Sequence, residues 1–253
     1  MTTVVYLGDR IIADTRSSIK QRGFVGEHGD LALNNDATIK METFGPGFFW
    51  DDEHEIQLMG AAGTVGGMKA FGRFLTKLQC PLEQFLQSFT GCEDLLFKFI
   101  GLETSSTFIL CLDNGEAARV FITDKRFHVT PPNKKVKACG SGGFYFDANK
   151  GLFEVNPEIL FRLAIGVDPS SSNDEYIEAV YNTENKLWVL DRTIKRFQEP
   201  LDPEVLINGI HPNVKAMFKG TLSEIPEALP GVNPPKTDPT ETVPVKIPTK
   251  KKS

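Results

Sequence analysis

Residues 2–18 read TTVVYLGDRIIADTRSS, and this stretch does most to decide the fold. Two β-rich runs, Thr3–Leu7 and Arg10–Asp14, are separated by the pair Gly8-Asp9. Glycine in a two-residue loop is typical of a tight hairpin, because glycine adopts a positive φ without steric cost. The stretch therefore predicts two antiparallel strands, and a strict two-residue turn places Asp14 opposite Thr3.

Beyond this hairpin, strand patterns and helix patterns occur in clusters. Strands are predicted at 38–44, 56–61, 106–112, 117–123, 134–139, 176–182 and 187–192. Helices are predicted at 65–79, 82–100 and 157–165, where apolar residues recur at helical spacing. Clustered strands and clustered helices favour an α+β domain over a regular α/β alternation.

The chain has 253 residues, which is enough for one well-buried domain. We expect residues 1–198 to form that domain. Prolines accumulate after it, so we expect an irregular C-terminal extension over 199–229. Residues 230–253 are rich in proline and lysine and bury too little apolar area to offset the entropy of ordering, which predicts a flexible tail.

The composition disfavours several classes of protein. A formal net charge of −5 argues against a nucleic-acid partner. The start, MTTVVYLGDR, lacks the regions of a signal peptide, and no apolar run is long enough for a bilayer, so we expect no membrane association. No C-x-x-C pair occurs, which favours reduced thiols and a cytoplasmic location for the four cysteines, Cys80, Cys92, Cys111 and Cys139.

Several common catalytic motifs are missing. No H-E-x-x-H occurs, and Gly140-Ser141-Gly142-Gly143 is not a G-x-S-x-G motif, because Cys139 stands where the first glycine would be. Gly60, Gly63 and Gly66 have the spacing of neither a dinucleotide fingerprint nor a P-loop. Zinc-protease, Ser-His-Asp and nucleotide-binding functions are therefore disfavoured.

Thr2 becomes chemically distinctive if Met1 is removed. The residue then carries both a hydroxyl and a free α-amine, and an amine with a pKa of ~7.7–8.0 can act as the base that a threonine hydroxyl needs. The alternative is that Met-Thr-Thr is an ordinary start with no catalytic meaning. The surrounding residues decide between the two.

The hairpin and four later segments follow one another in an order that is similar to mature proteasome β-subunits and the bacterial HslV-like peptidase, which are threonine-type N-terminal-nucleophile hydrolases. The hairpin here is shorter by an even number of residues, which keeps the side-chain alternation in phase. The later segments are Ala37-Thr38-Ile39-Lys40, Leu58-Met59-Gly60-Ala61-Ala62-Gly63-Thr64, Ala138-Cys139-Gly140-Ser141-Gly142-Gly143-Phe144-Tyr145 and Asp168-Pro169-Ser170-Ser171.

The resemblance implies an α+β, four-layer αββα sandwich. It also implies threonine-type endopeptidase activity through an acyl-enzyme, with neither a metal nor an organic cofactor. The implied substrate is a peptide or unfolded protein, and the implied partners are further copies in a homo-oligomeric ring and an ATP-dependent unfoldase. Two alternatives stay open: a catalytically silent structural or interaction subunit, and an amidohydrolase that acts on a small amide.

The same resemblance implies a role for each site residue. Thr2 is the nucleophile, Lys40 stabilises the alkoxide, Asp14 holds Lys40, and Gly63 (or Ala62) donates a backbone N–H to the oxyanion. A proton relay near the terminal amine is implied for Ser141, Asp168 and Ser171.

Each of these residues also has a structural interpretation. Lys40 could lie on a solvated strand face, and Ser141 could be a turn residue or helix N-cap. Asp168 and Ser171 could form an Asx-type turn. The segment between Ser141 and Asp168 is shorter than is usual in the family, which predicts that its first helix is reduced to a turn near 144–150.

Overall fold

The computed structural model describes residues 3–20, 32–35, 39–151, 157–167, 175–197 and Asn208. Its strands are β1 (Thr3–Tyr6), β2 (Arg10–Asp14), β3 (Ser17–Lys20), β4 (Ala32–Asn35), β5 (Met41–Thr43), β6 (Ile56–Ala62), β7 (Ser106–Leu112), β8 (Ala117–Ile122), β9 (Phe127–Asn133), β10 (Lys137–Gly140), β11 (Glu175–Asn182) and β12 (Leu187–Arg196). Its helices are α1 (Val65–Leu75), α2 (Leu82–Ser88), α3 (Glu93–Ile100), α4 (Ser141–Asn149) and α5 (Pro157–Val167).

Two five-stranded antiparallel sheets form the centre of the protein. The terminal sheet has the order β10-β1-β2-β11-β12, and the central sheet has the order β5-β6-β7-β8-β9. Strands β3 and β4 form a separate two-stranded ribbon. The central sheet is a simple meander, whereas the terminal sheet brings strands from both ends of the described chain beside the first hairpin.

The predicted N-terminal hairpin is present. Val4 pairs with Ala13, and the N–H of Leu7 donates to the carbonyl of Arg10 at 2.8 Å. Gly8 has a φ of 104°, which is the conformation for which glycine is favoured in a tight turn. A second hairpin joins β7 and β8 across Asn114-Gly115, a pair that is typical of tight hairpin turns.

Three apolar clusters hold the elements together. One lies between the two sheets and includes Val4, Ile11, Leu58 and Ile109. A second joins α1, α2 and α3 to the central sheet, and a third joins α4 and α5 to the terminal sheet. The space between the sheets is therefore a packed interior.

The predicted four-layer αββα sandwich is wrong, because the helices do not form two complete outer layers. The described residues contain twelve strands and only five helices, and the helices have 7 to 11 residues. Edge strand β9 has no buried residue, and most of edge strand β12 is exposed or half-buried. The architecture is two antiparallel sheets to which short helices are attached.

The reason lies in where the helical patterns stop. The run 82–100 was predicted as one helix, but it divides into α2 and α3 around Gly91, whose φ is 86°. Helix α1 ends at Leu75 rather than at Gln79. The opposite error occurs at 144–150, where a turn was predicted and the nine-residue helix α4 is found.

Strand errors have equally local causes. Strand β9 contains Pro131 and Pro132, which argue against a strand unless it lies at a sheet edge, and β9 does lie at an edge. The strand predicted at 38–44 is shorter, since β5 begins at Met41. Thr38 and, apart from Asn208, the predicted extension 199–229 and tail 230–253 lie outside the described residues. Within the described part of the chain, no helix is long and apolar enough to span a bilayer.

Candidate active site

Asp14 ends β2 and is fully buried. The backbone N–H of Thr3 donates to Asp14 Oδ1 at 2.6 Å, and the N–H of Arg16 donates to Oδ2 at 3.3 Å. Asp14 therefore lies opposite Thr3, as the two-residue turn predicted. Two backbone donors on one carboxylate fix its position and favour its ionised form.

Lys40 supplies the charge that Asp14 needs. Its Nζ donates to Asp14 Oδ1 at 2.7 Å, and Lys40 is only 5% exposed. The interpretation of Lys40 as a charge on a solvated strand face is therefore wrong. Lys40 precedes β5, and the N–H of Ala61 donates to its carbonyl at 3.0 Å, so β6 holds the lysine backbone in place.

Thr3 also joins this group to the start of α4. In the β1–β10 ladder Thr3 lies opposite Gly140, and α4 begins at the next residue, Ser141. A Cβ atom on Gly142 would lie 2.0 Å from Thr3 Oγ1, so only glycine allows the first turn of α4 to approach β1 this closely. Gly140 occupies the N-cap position, so the interpretation of Ser141 as the N-cap is wrong.

Gly63 lies at the end of the central sheet that carries Lys40. It follows β6 with a φ of 138°, and a Cβ atom there would lie 2.8 Å from Ser106 Oγ. The next residue, Thr64, caps α1 by accepting a hydrogen bond from the N–H of Gly67 at 3.0 Å. Ala62, the alternative oxyanion donor, is paired with Thr107 inside the sheet.

The structure thus brings Asp14 and Lys40 into direct contact and places Ser141 beside the start of β1. Thr2, Asp168 and Ser171 lie outside the described residues. Sequence reasoning missed the roles of the Thr3 N–H and of Gly142. The run of glycines around Ser141 was the available signal, because such runs permit close approach of main chains.

Cys139 lies two residues before Ser141, and a cysteine thiol could act as a nucleophile if it were ionised. It is 4% exposed, and burial raises the pKa of its thiol to about 12. The thiol is therefore neutral at physiological pH, and a neutral thiol is a poor nucleophile. In the described part of the chain, no group of three or more His, Cys, Asp or Glu residues is arranged to hold a metal ion.

Comparisons with known proteins place the chain near one group of solved structures. No family model and no curated protein matches the sequence. A Gly-1 mutant of Anbu from Hyphomicrobium sp. strain MC1 is 12% identical over 89% of this chain and 96% of its own, with a TM-score of 0.47. The Anbu complex from Pseudomonas aeruginosa, a helical assembly, is 14% identical over 93% and 98%, with a TM-score of 0.42.

A third structure, Anbu (ancestral beta-subunit) from Yersinia bercovieri, is 12% identical over 91% of this chain and 99% of its own, with a TM-score of 0.41. The predicted membership in the proteasome β-subunit and HslV-like family is therefore wrong as a family assignment, because the similar structures belong to Anbu, a distinct family. At these scores no residue's role is carried over.

Proposed function

We propose that the protein is a threonine-type endopeptidase in which the Thr2 hydroxyl attacks a peptide carbonyl once Thr2 is the amino-terminal residue. The observation that carries the proposal is the buried Asp14–Lys40 pair, whose carboxylate also holds the Thr3 N–H. Thr2 is bonded to that nitrogen. The charged pair is therefore built around the residue that follows the nucleophile.

A buried ion pair is poorly explained by stability alone. Removing two charges from water costs several kcal/mol for each ion, and an apolar pair of similar volume is often as stable or more stable. A buried ammonium beside the start of β1 has a chemical use, because it stabilises the alkoxide that develops on a threonine hydroxyl. It also favours the neutral form of a nearby α-amine.

The reaction needs one proton to move in each half. The neutral α-amine of Thr2 takes the hydroxyl proton, Oγ1 bonds to the peptide carbon, and the C–N bond breaks as the leaving nitrogen receives that proton. Water then gives a proton to the same amine while its oxygen bonds to the ester carbon. The C–Oγ1 bond breaks, the amine returns the proton to Oγ1, and the carboxylic acid product leaves. Asp14 acts through Lys40, and the Gly63 N–H is the proposed donor to the oxyanion.

The proton relay is proposed for Ser141, Asp168 and Ser171. The support for Ser141 is its place beside β1: Thr3 lies opposite Gly140 in the β1–β10 ladder, and Ser141 is the next residue. We further propose an unfolded polypeptide as the substrate, a homo-oligomer as the working form and an ATP-dependent unfoldase as a partner.

The test is Thr2→Ala, with the exposed amino terminus first established by intact mass. We expect the variant to retain its thermal unfolding midpoint and to lose cleavage of fluorogenic peptides completely, because alanine has no hydroxyl to attack the peptide carbonyl. Undiminished cleavage by Thr2→Ala would overturn the mechanism. A parent protein with free Thr2 that is folded and cleaves neither peptides nor small amides would instead act as a structural or interaction subunit.

A further inference from the structure

A cavity of about 620 Å³ opens among helices α1, α2 and α3, and we call it the α1–α3 cavity. Cavities of roughly 300–1,000 Å³ are typical of small-molecule sites. Its wall includes Phe74, Phe85 and Phe99, and its rim includes Arg73 and Lys77. None of its lining residues belongs to the candidate active site, so the proposed hydrolysis does not explain it.

The three phenylalanines form one aromatic surface. The ring centroids of Phe74 and Phe85 lie 5.1 Å apart, those of Phe85 and Phe99 lie 5.7 Å apart, and those of Phe74 and Phe99 lie 6.1 Å apart. Phe99 is nevertheless 64% exposed. Apolar surface left in contact with water forgoes about 25 cal/mol per Å², so an apolar group that covered this wall would gain free energy.

The charges around the α1–α3 cavity all have one sign. Arg73 lies in the last turn of α1, Lys77 lies two residues beyond the end of that helix, and no aspartate or glutamate is among the lining residues. Within the described residues neither cation forms an ion pair. The whole chain has a formal net charge of −5, so a purely cationic rim is unusual for this protein and selects for an anion.

We propose that the α1–α3 cavity binds a small amphipathic carboxylate. Its apolar chain would lie against the three phenylalanines, and its carboxylate would accept hydrogen bonds from Arg73 and Lys77. Both features are needed for the argument: the aromatic wall alone would suit any apolar compound, and the two cations alone would suit any anion.

Two exposed cysteines provide the measurement. Cys80 lines the α1–α3 cavity, whereas Cys92 is exposed and does not line it. Cys111 and Cys139 are buried. The full-length protein is treated with iodoacetamide at increasing octanoate concentrations, and alkylation of each cysteine is followed by peptide mass spectrometry.

We expect octanoate to slow alkylation of Cys80 several-fold and saturably, with no change at Cys92. Octanamide has the same chain without the charge, and it should protect Cys80 at least tenfold less effectively. The double substitution Arg73→Gln and Lys77→Gln should raise the half-saturating octanoate concentration by about tenfold or more, since hydrogen bonds between charged groups are the strong ones. Lys98→Gln, on α3 outside the cavity, is the matched control and should change nothing.

Four results would overturn the proposal. Octanoate could fail to protect Cys80, or octanamide could protect it equally well. Octanoate could also slow alkylation of Cys80 and Cys92 to the same extent, which would indicate a general effect on the protein. Protection without any ligand that rises with protein concentration would show that a second copy of the chain covers the cavity, and it would also overturn the proposal.

Discussion

Lys40 and Lys137 are two buried lysines whose charges are accommodated differently. Lys40 is held by the carboxylate of Asp14. Lys137, which is 4% exposed, donates to the backbone carbonyls of Asn133 and Lys135 and to Asn133 Oδ1. Burial lowers the pKa of Lys137 to about 8. The ammonium that is paired with a carboxylate is the one in the candidate site. The other is held by neutral oxygens and lies 5.4 Å from the centroid of the Tyr6 ring.

This difference gives a matched pair of variants. We expect Lys40→Met to lower kcat/KM for a fluorogenic peptide by a factor on the order of 10²–10³, because one preorganised electrostatic group is lost. Lys137→Met should leave kcat/KM within a few-fold of the parent. Asp14→Asn should have an effect smaller than that of Lys40→Met, because Asp14 acts through Lys40. Equal loss in both lysine variants would assign the Asp14–Lys40 pair to structure alone.

Lys137 also predicts a dependence of stability on pH. Its pKa is lower in the folded protein, about 8, than the ordinary value of 10.5, so between these values the unfolded chain binds more protons. The free energy of unfolding of the parent should therefore rise with pH through this window, relative to Lys137→Met, by up to about 3 kcal/mol. Urea unfolding of both proteins at pH 7.5 and 10 measures it. If the difference in free energy of unfolding between the parent and Lys137→Met is the same at both pH values, the prediction is contradicted.

At the scale of elements, the junction of β10 and α4 sets the distance between the first helical turn and β1. Gly142→Ala should destabilise the protein by about 2 kcal/mol or more and lower activity, because the added Cβ meets Thr3 Oγ1 at 2.0 Å and α4 must move. Gly66→Ala in α1 is the control: the nearest atom to its Cβ, Thr64 Oγ1, is 3.8 Å away, so that variant should be neutral or stabilised.

Thermal and urea unfolding of both glycine variants would check this prediction. Adding Thr3→Ala to Gly142→Ala should recover part of the lost stability, since residues in contact are energetically coupled. A Gly142→Ala protein as stable and as active as the parent would show that the contact between α4 and β1 is not a constraint.

The elements also show what the sequence could and could not predict. Turns closed by Gly8-Asp9 and Asn114-Gly115 were predictable, because the turn chemistry is local. The pairing of Asp14 with Lys40 was implied by the resemblance, and it agrees with the need of a buried carboxylate for a partner. The packing of Gly142 on Thr3 was not predictable, because a tertiary contact between segments far apart in the chain decides it. The break at Gly91 has a local cause, since this glycine has a φ of 86°. Strand β9 was not predicted because its two prolines argue against a strand, although an edge strand tolerates them.

At the scale of the whole molecule, several large apolar side chains remain in water. Phe144 is 78% exposed, Leu95 53% and Val189 52%. Phe71, Phe74 and Leu75 of α1, by contrast, are buried against the central sheet and α3, so α1 does not supply a surplus apolar face. Exposed apolar groups of this size are typical of surfaces that contact another protein.

We therefore expect a homo-oligomer in solution. Size exclusion coupled to light scattering should give a mass well above the 28.1 kDa of one chain. The substitution Phe144→Ser should lower the oligomer population if the first turns of α4 form a subunit contact, and Glu184→Ser, at an exposed turn, is the control. A monomer that cleaves peptides would contradict the expectation of an obligatory oligomer.

The burial of Thr3 has one more consequence, which concerns trimming of the chain. Thr3 is 0% exposed, and Asp14 holds its amide nitrogen. An exopeptidase that removes residues one at a time must draw each new terminus into its own cleft, and it cannot do so with Thr3 while the fold is intact. The fold would thus set the end point of amino-terminal trimming: an exopeptidase can remove the residue before Thr2, but it cannot remove Thr2 itself.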